Sequence, residues 1–386
     1  MPSSSKLKAR ARAGAAKRPM NIGASLLAAA LTLPAVQAAH AEARPEYSSI
    51  GLKVFNFLDR QPDAERIRVK AQSLTFMTPV AGSWSLNATR FVDTVSGASP
   101  AYHTEALSKM HELRRAWDVS ATRFSDLGTI SFGGSYSNET DYVSRGLSLT
   151  GTVETAAKNT TWNFGLNLSH DNINPSNRIV SNETKNIRDL SFGVTQVMTP
   201  QDIAQFILGY SHGLGYFSDP YKVFDNRPRE RNNTTMLARW NHNFPATDGT
   251  ARLSYRYYRD SYQIKSHTIG LEYVQPLPDG WLVTPLVRFY SQSAASFYVD
   301  LDPDSAPFPT NPPDDALYFT EDQRLSAFGA HTVGIKFSKE MSSGWLADLK
   351  IERYEQRSSW KFSGDGSPWL APLIARSYQF GISRRF

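Results

Sequence analysis

The sequence predicts an all-β fold: a transmembrane antiparallel up-and-down β-barrel of about 16 strands behind a cleavable leader. Three observations carry that expectation. Apolar and polar residues alternate over segments of about ten residues or more, short and long connections alternate between the segments, and aromatic side chains recur at the segment ends.

The leader comes first. Lys6, Lys8, Arg10, Arg12, Lys17 and Arg18 precede an apolar run at 24–33, a helix-breaking Pro34 and the small-x-small site Ala39-His40-Ala41. That order is the order of a secretory signal peptide, so a signal peptide is expected over 1–41 and a single barrel over 42–386, with Val36-Gln37-Ala38 as a second possible cut. The same six cations account for the whole formal charge of +6, so the mature chain is near neutral and the nucleic-acid reading invited by a pI near 9.3 falls away. With no cysteine, disulfides, thiol chemistry, cysteine metal sites and lipid attachment at a cysteine are all excluded. No later stretch is apolar for the roughly 20 residues that a spanning helix needs.

Alternation then separates strand from helix, because successive side chains on a strand point to opposite faces. Trp162, Phe164, Leu166 and Leu168 interleave with Thr161, Asn163, Gly165, Asn167 and Ser169. Ile130, Phe132 and Tyr136 repeat the pattern, as do Phe206, Leu208 and Tyr210, and then Leu253, Tyr255 and Tyr257. A soluble sandwich also alternates, but its strands run nearer 5 or 6 residues, whereas a tilted bilayer crossing takes about 9–11.

Short breaks are expected at 78–83, 125–128, 154–158, 199–201, 245–249, 276–280 and 341–344, and long ones at 93–113, 171–185, 215–231, 294–326 and 358–372. Starting near 49–57 and ending at 376–386, the count is even and leaves both termini at one end. Pro285 lies where a ladder N–H is wanted, so a bulge is expected there. Trp84, Trp281 and Trp345 each follow a glycine-containing short turn, which puts three indoles at one membrane interface. Tyr378, Phe380, Ile382 and the terminal Phe386 give the last strand an apolar face that resembles an outer-membrane assembly signal. Arg384 breaks that face and is expected to snorkel.

Several segments together resemble a family of bacterial outer-membrane proteins catalogued only as a domain of unknown function. They are Asp93-Thr94-Val95-Ser96-Gly97-Ala98-Ser99-Pro100, Ser137-Asn138-Glu139-Thr140-Asp141-Tyr142, Ser218-Asp219-Pro220-Tyr221-Lys222, and the run from Tyr255 to Tyr298 with Ser266-His267-Thr268 and Arg288-Phe289-Tyr290-Ser291-Gln292. The resemblance implies a barrel in the bacterial outer membrane and brings no activity with it.

The faces expected to turn inward carry Arg68, Lys70, Asp118, Asp189, Arg239, Arg252, Arg256, Glu272, Arg288, Lys336, Asp348, Lys350 and Glu352, since a cation on lipid at the midplane costs about 2–4 kcal/mol. Of these, Arg239, Arg252, Arg256 and Arg288 would form a positive stripe along the lumen that concentrates anions. Glu272, Asp348 and Glu352 would select solutes or neutralise the stripe into structural pairs. The loop 294–326 reads as a solvated surface loop that could fold inward as a constriction and plug the mouth. Within it Asp300, Asp302 and Asp304 resemble the opening of a calcium loop, but Ser305 replaces the turn glycine and Asn311 replaces the bidentate glutamate. Asp93, Glu139 and Asp141 would have to converge with His103 or His111 to hold a cation, against the plainer reading that they cap turns. His212, His267 and His331 have serines nearby but no nucleophile-elbow spacing, so catalysis is not expected. The expected function is a porin-like channel or solute-binding barrel for small polar or anionic solutes, working without a cofactor. A non-conducting surface scaffold is the alternative. The expected partners are outer-membrane lipid and lipopolysaccharide, the outer-membrane assembly machinery and the solute, with no nucleic acid.

Overall fold

The protein is described by a computed structural model covering residues 44–61, 64–98, 109–222, 224–300, 302–305 and 311–386, so both cleavage sites and His103 lie outside the described residues. Sixteen strands close one sheet. In chain order they are β1 (Ser49–Gln61), β2 (Ala64–Val80), β3 (Trp84–Ala98), β4 (Lys109–Ser125), β5 (Gly128–Asn138), β6 (Tyr142–Glu154), β7 (Thr160–Ile173) and β8 (Glu183–Val197). The circuit continues with β9 (Asp202–Gly215), β10 (Glu230–Phe244), β11 (Gly249–Asp260), β12 (Lys265–Leu277), β13 (Trp281–Gln292), β14 (Phe328–Glu340), β15 (Trp345–Arg357) and β16 (Leu373–Arg385). Each strand runs antiparallel to the next, and β1 pairs with β16 to shut the sheet, leaving no edge. The closure is finished by Ser48 and Phe386, whose backbones exchange hydrogen bonds of 3.0 and 2.9 Å.

All seven expected short breaks are tight turns at the end of the barrel that holds the termini. In three of them two successive residues have positive φ: Ala81 and Gly82, Asp279 and Gly280, Ser343 and Gly344. Such pairs match the twist of the flanking strands, which is why a glycine stands second in each. Trp84, Trp281 and Trp345 begin the strands that follow, with a cation near each of the last two. Lys339 Nζ lies 5.2 Å from the Trp281 ring, and Arg384 lies 5.4 Å from the ring of Trp345, its partner in register. That ring receives the arginine which breaks the apolar face of the last strand.

The connections at the other end are less even than expected. Those at 139–141 and 261–264 are short, and β3 and β4 run so far that only 99–108 separates them. Strands of up to 17 residues exceed a bilayer crossing, so the far ends of the longest, β2 and β4, stand clear of the hydrocarbon.

Directly paired residues share a face, so the register fixes which side chains look out. Ile50, Leu52 and Val54 on β1 continue into Phe76, Leu74, Leu86, Val119, Phe132, Leu147, Leu168, Leu190, Leu208, Met236 and Leu253, all exposed on the outside. This is an apolar belt of the kind a bilayer covers. Tyr378 and Phe380 on β16 belong to it, as does Ile382, which pairs with the outward Leu52.

Two expectations change here. Arg68 and Lys70 pair with Leu58 and Asn56 and face outward, because the phase of β2 inverts along its length. Leu74 and Phe76 are the outward apolar residues near the turn, whereas Ile67, Val69 and Ala71 turn into the lumen and pack with Phe55, Phe57, Phe91 and Val95. At Pro285 there is no bulge: β12 and β13 keep one register on both sides of it, through Glu272↔Leu286 and Gln275↔Val283, and the intervening pairs drop out. The shift in register lies instead between Leu58 and Arg60, where β1 meets β2.

Candidate functional site

The lumen divides into three sectors. Along β5 to β8 the inward residues are mostly small and uncharged, among them Ser131, Gly133, Ser148, Thr150, Asn163, Gly165 and Ser191, the charged exceptions being Asp189 and, near the outer ends, Asp171, Glu183 and Lys185. Along β10 to β15 they are charged. Between β4 and β15, across the closing seam, sits the apolar cluster around Phe55 and Val69.

Eleven of the thirteen charges expected inside do share the inward face, Arg68 and Lys70 being the exceptions. The arginines differ in what they meet. Arg239 donates to Gln205 Oε1 at 3.1 Å, and the Arg256 guanidinium lies 5.6 Å from the Tyr258 ring. Arg252 stands opposite Glu272 in register. Arg288 approaches Glu352 at 4.0 Å, and Glu352 also takes Lys350 at 3.0 Å. Asp348 is opposite Gly381, and Lys336 is opposite Lys350. The stripe is therefore partly neutralised at its Arg288 end, while Arg239 and Arg256 keep uncharged partners.

At that same end is a cavity of about 560 Å³. One flank is apolar, formed by Phe55, Phe57, Ile67 and Val69; the other carries Arg288, Tyr290, Gln292, Glu352 and Tyr354; Gln323 and Arg324 come in from the long loop. Of the loop 294–326, the described residues Gln323 and Arg324 thus reach the cavity. That end of the loop is seated by Leu325, buried with Tyr262, Ile264 and Ala295, and by Gln292 Nε2, which donates to the carbonyls of Arg324 and Ser326 at 3.0 and 2.6 Å.

A buried ionic clamp holds this loop to the connection 216–229. Arg227 bridges Asp225 at 2.8 Å and Asp322 at 2.6 Å; Arg324 bridges Asp219 at 2.9 Å and also contacts Asp322. Asp225 and Asn226 form a two-residue ladder with Thr320 and Phe319. Burial pushes the Asp322 carboxyl up, but Arg324, Lys222 and Arg227 outweigh it and hold the group well below the usual carboxylate range. Asp225 goes the other way: burial wins over Arg227 and raises it. Sequence reading missed the clamp, whose partners lie 95 and 105 positions apart. The Ser218-Asp219-Pro220-Tyr221-Lys222 segment was its only local signal.

The remaining candidates separate. Asp302 Oδ1 accepts from Asp304 N at 2.9 Å in a turn of its own, and Asp300 sits with Tyr298 and Ser367. Asp93 faces the lumen and pairs with Arg114 at 2.6 Å, whereas Asp141 takes the Tyr221 hydroxyl in the loop region. Among the described residues no three His, Asp or Glu side chains are grouped to hold a metal. The three strand-end histidines face outward: His212 meets Asn232 at 2.6 Å, His267 meets Tyr255 at 2.8 Å, and His331 stacks on Trp360 at 4.2 Å.

Among solved structures the barrel is similar to a bacterial polysaccharide outer membrane secretin, with a TM-score of 0.53 at 8% identity over 88% of this chain and 98% of that one. It is also similar to the siderophore receptor PirA from Pseudomonas aeruginosa (TM-score 0.47, 8% identity, 89% and 81% covered) and to the CymD monoaromatic hydrocarbon channel (0.45, 10%, 95% and 94%). At such identities the likeness concerns the fold alone. No curated protein matches the chain. A family model described as a protein of unknown function (DUF3570) matches residues 104–182 and 176–378, and the chain belongs to that family.

Proposed function

We propose that the protein is an outer-membrane channel or binding barrel for a small polar or anionic solute, closed at its outer mouth by the loop between β13 and β14. With both termini periplasmic, the clamped loops lie outside the cell. The carrying observation is the 560 Å³ cavity under Gln323 and Arg324, with Arg288 on its wall. Around the wall from it, Arg239 shares a cross-strand row with Arg288 through Ser254 and Gly270, Arg256 and Arg252 flank that row on either side, and the buried Arg252 Nε lacks a hydrogen-bond partner. A row of cations inside a low-dielectric barrel raises the local anion concentration and lowers the barrier to its passage. The apolar flank at Phe55 and Phe57 favours a solute that also carries some hydrocarbon.

Reconstitution in planar bilayers tests this reading. The expected result is a small anion-selective conductance that rises when residues 294–326 are replaced by a short linker. Anion preference should fall, or reverse, in Arg252→Glu/Arg256→Glu protein that still shows the heat-modifiable folded band. A folded barrel silent at every voltage even without the loop would leave a surface scaffold as the better account.

A further inference from the structure

On the outer face, away from the lumen, strands β4 to β8 enclose a second concavity of about 770 Å³. It exists because Gly134 interrupts the row of outward side chains. A Cβ there would meet only the Gly146 carbonyl oxygen, at 3.9 Å, so the space beside it is open. Val119, Leu147 and Leu168 give it an apolar floor that runs into the exposed belt. Nearer the loop end the lining turns basic, with Arg145 on β6, His170 on β7 and Arg188 on β8. No carboxylate lines it.

We propose that this groove is a binding site for one outer-leaflet lipid with a phosphorylated headgroup, the lipid A part of lipopolysaccharide. The polarity runs the way such a lipid lies. An acyl chain fits over Gly134 toward the membrane interior, and the cations stand where the chain would meet its headgroup. Arg145 and Arg188 are two strands apart, about 10 Å across the sheet, so each can take a separate phosphate. Their charge is not consumed by acids: Arg145 donates to Asn172 Oδ1 at 3.3 Å, and Arg188 pairs in register with His212 and Leu168. Trp117 closes one rim of the groove, where an indole suits the interface. The site does not depend on whether the lumen conducts.

Native mass spectrometry of the detergent-extracted barrel, titrated with diphosphorylated lipid A or with phosphatidylglycerol, tests the assignment. One lipid A should be retained in preference to phosphatidylglycerol. Retention should weaken about fivefold for Arg145→Ala or Arg188→Ala and about 25-fold for both, the equivalent of about 1 kcal/mol per cation. Gly134→Phe should displace the lipid by filling the groove while the heat-modifiable band is kept; if that variant does not fold, the arginine pair decides alone. Unchanged retention in the double variant would overturn the proposal. So would equal retention of the two lipids, or an equal loss from Arg376→Ala, an outward arginine on β16 beyond the groove.

Discussion

The lumen wall at β1 to β3 and the wall at β5 to β8 are built from the same alternating strands, yet they obey opposite rules about where apolar residues point. On the second wall the apolar positions face out and the inward ones are mostly serine, threonine, asparagine and glycine, with Asp189 among them. On the first, the outer halves of the strands turn Phe55, Phe57, Val69 and Val95 inward into a packed cluster and put Arg68 and Lys70 outside. Two different solvents are responsible. Where lipid covers the outside and water fills the inside, apolar means outward. Where the strands rise above the hydrocarbon and Gln323 and Arg324 of the loop reach the cavity, the lumen is the drier side.

The contrast is broken most directly by placing one charge on each wall. Val69→Asp should destabilise the barrel by about 3 kcal/mol, since Val69 is buried among apolar side chains and Arg288 and Arg324, the cations across the same cavity, already meet Glu352, Asp219 and Asp322. Thr150→Asp, at an exposed inward position of β6, should change stability by less than about 0.5 kcal/mol. Urea midpoints of the heat-modifiable band in detergent report both. Equal effects would mean that the first wall is as wet as the second.

An effect of similar size is expected at the clamp. Asp322→Asn should weaken loop attachment by about 3 kcal/mol, the lower end for breaking a buried pair, because Arg227 keeps Asp225 and Arg324 keeps Asp219. Hydrogen exchange over 319–326 would speed up, and any channel should open more often. The pH sense follows from the depressed Asp322 carboxyl: its contribution is present above the unfolded value of 3.8 and is lost only as pH falls through the lower folded value. Asp225, raised by burial, instead sheds a cost when it protonates on the way down. Acid should therefore not loosen the loop until the pH is well below 3.8.

A smaller structural effect with a larger cellular one is expected at the seam. Removing Phe386 deletes the last backbone pair with Ser48 and one apolar side chain of the proposed assembly signal. The folded band in isolated outer membranes should fall while the purified, refolded barrel keeps its urea midpoint. An unchanged yield would show that Tyr378, Phe380 and Ile382 suffice.

Most of the barrel was legible because its signals are local. Alternation around Trp162 to Leu168, the glycines of the short turns and the tryptophans after them need no distant partner. What escaped was set by contacts across the chain: the inverted phase of β2, which depends on Phe55 and Val95, and the clamp, which joins Asp219 to Arg324. The site fared similarly. Arg239, Arg252, Arg256 and Arg288 were placed inward by alternation, but the Glu352 contact that quenches Arg288 depends on the order of strands, as does the convergence of β13, β15 and the loop on one cavity.

The smallest effect expected is at Arg68 and Lys70, and it is the sharpest test of the inverted phase. If these side chains lined the lumen, Arg68→Ala and Lys70→Ala would remove charge from beside the cavity and shift ion selectivity. Register instead sets them outside, beside Asn56 and Leu58, with Arg68 reaching Glu65 at 3.3 Å on an exposed surface. An exposed pair of that kind contributes little, so each substitution should move stability by no more than about 0.5 kcal/mol and leave reversal potentials where they were. Cysteine placed at each position gives the geometry directly, because the natural chain has none. Val69→Cys should resist a thiol reagent too large to enter the lumen, whereas Arg68→Cys and Lys70→Cys should react from outside. The opposite labelling pattern would return β2 to the phase that its lower half suggests.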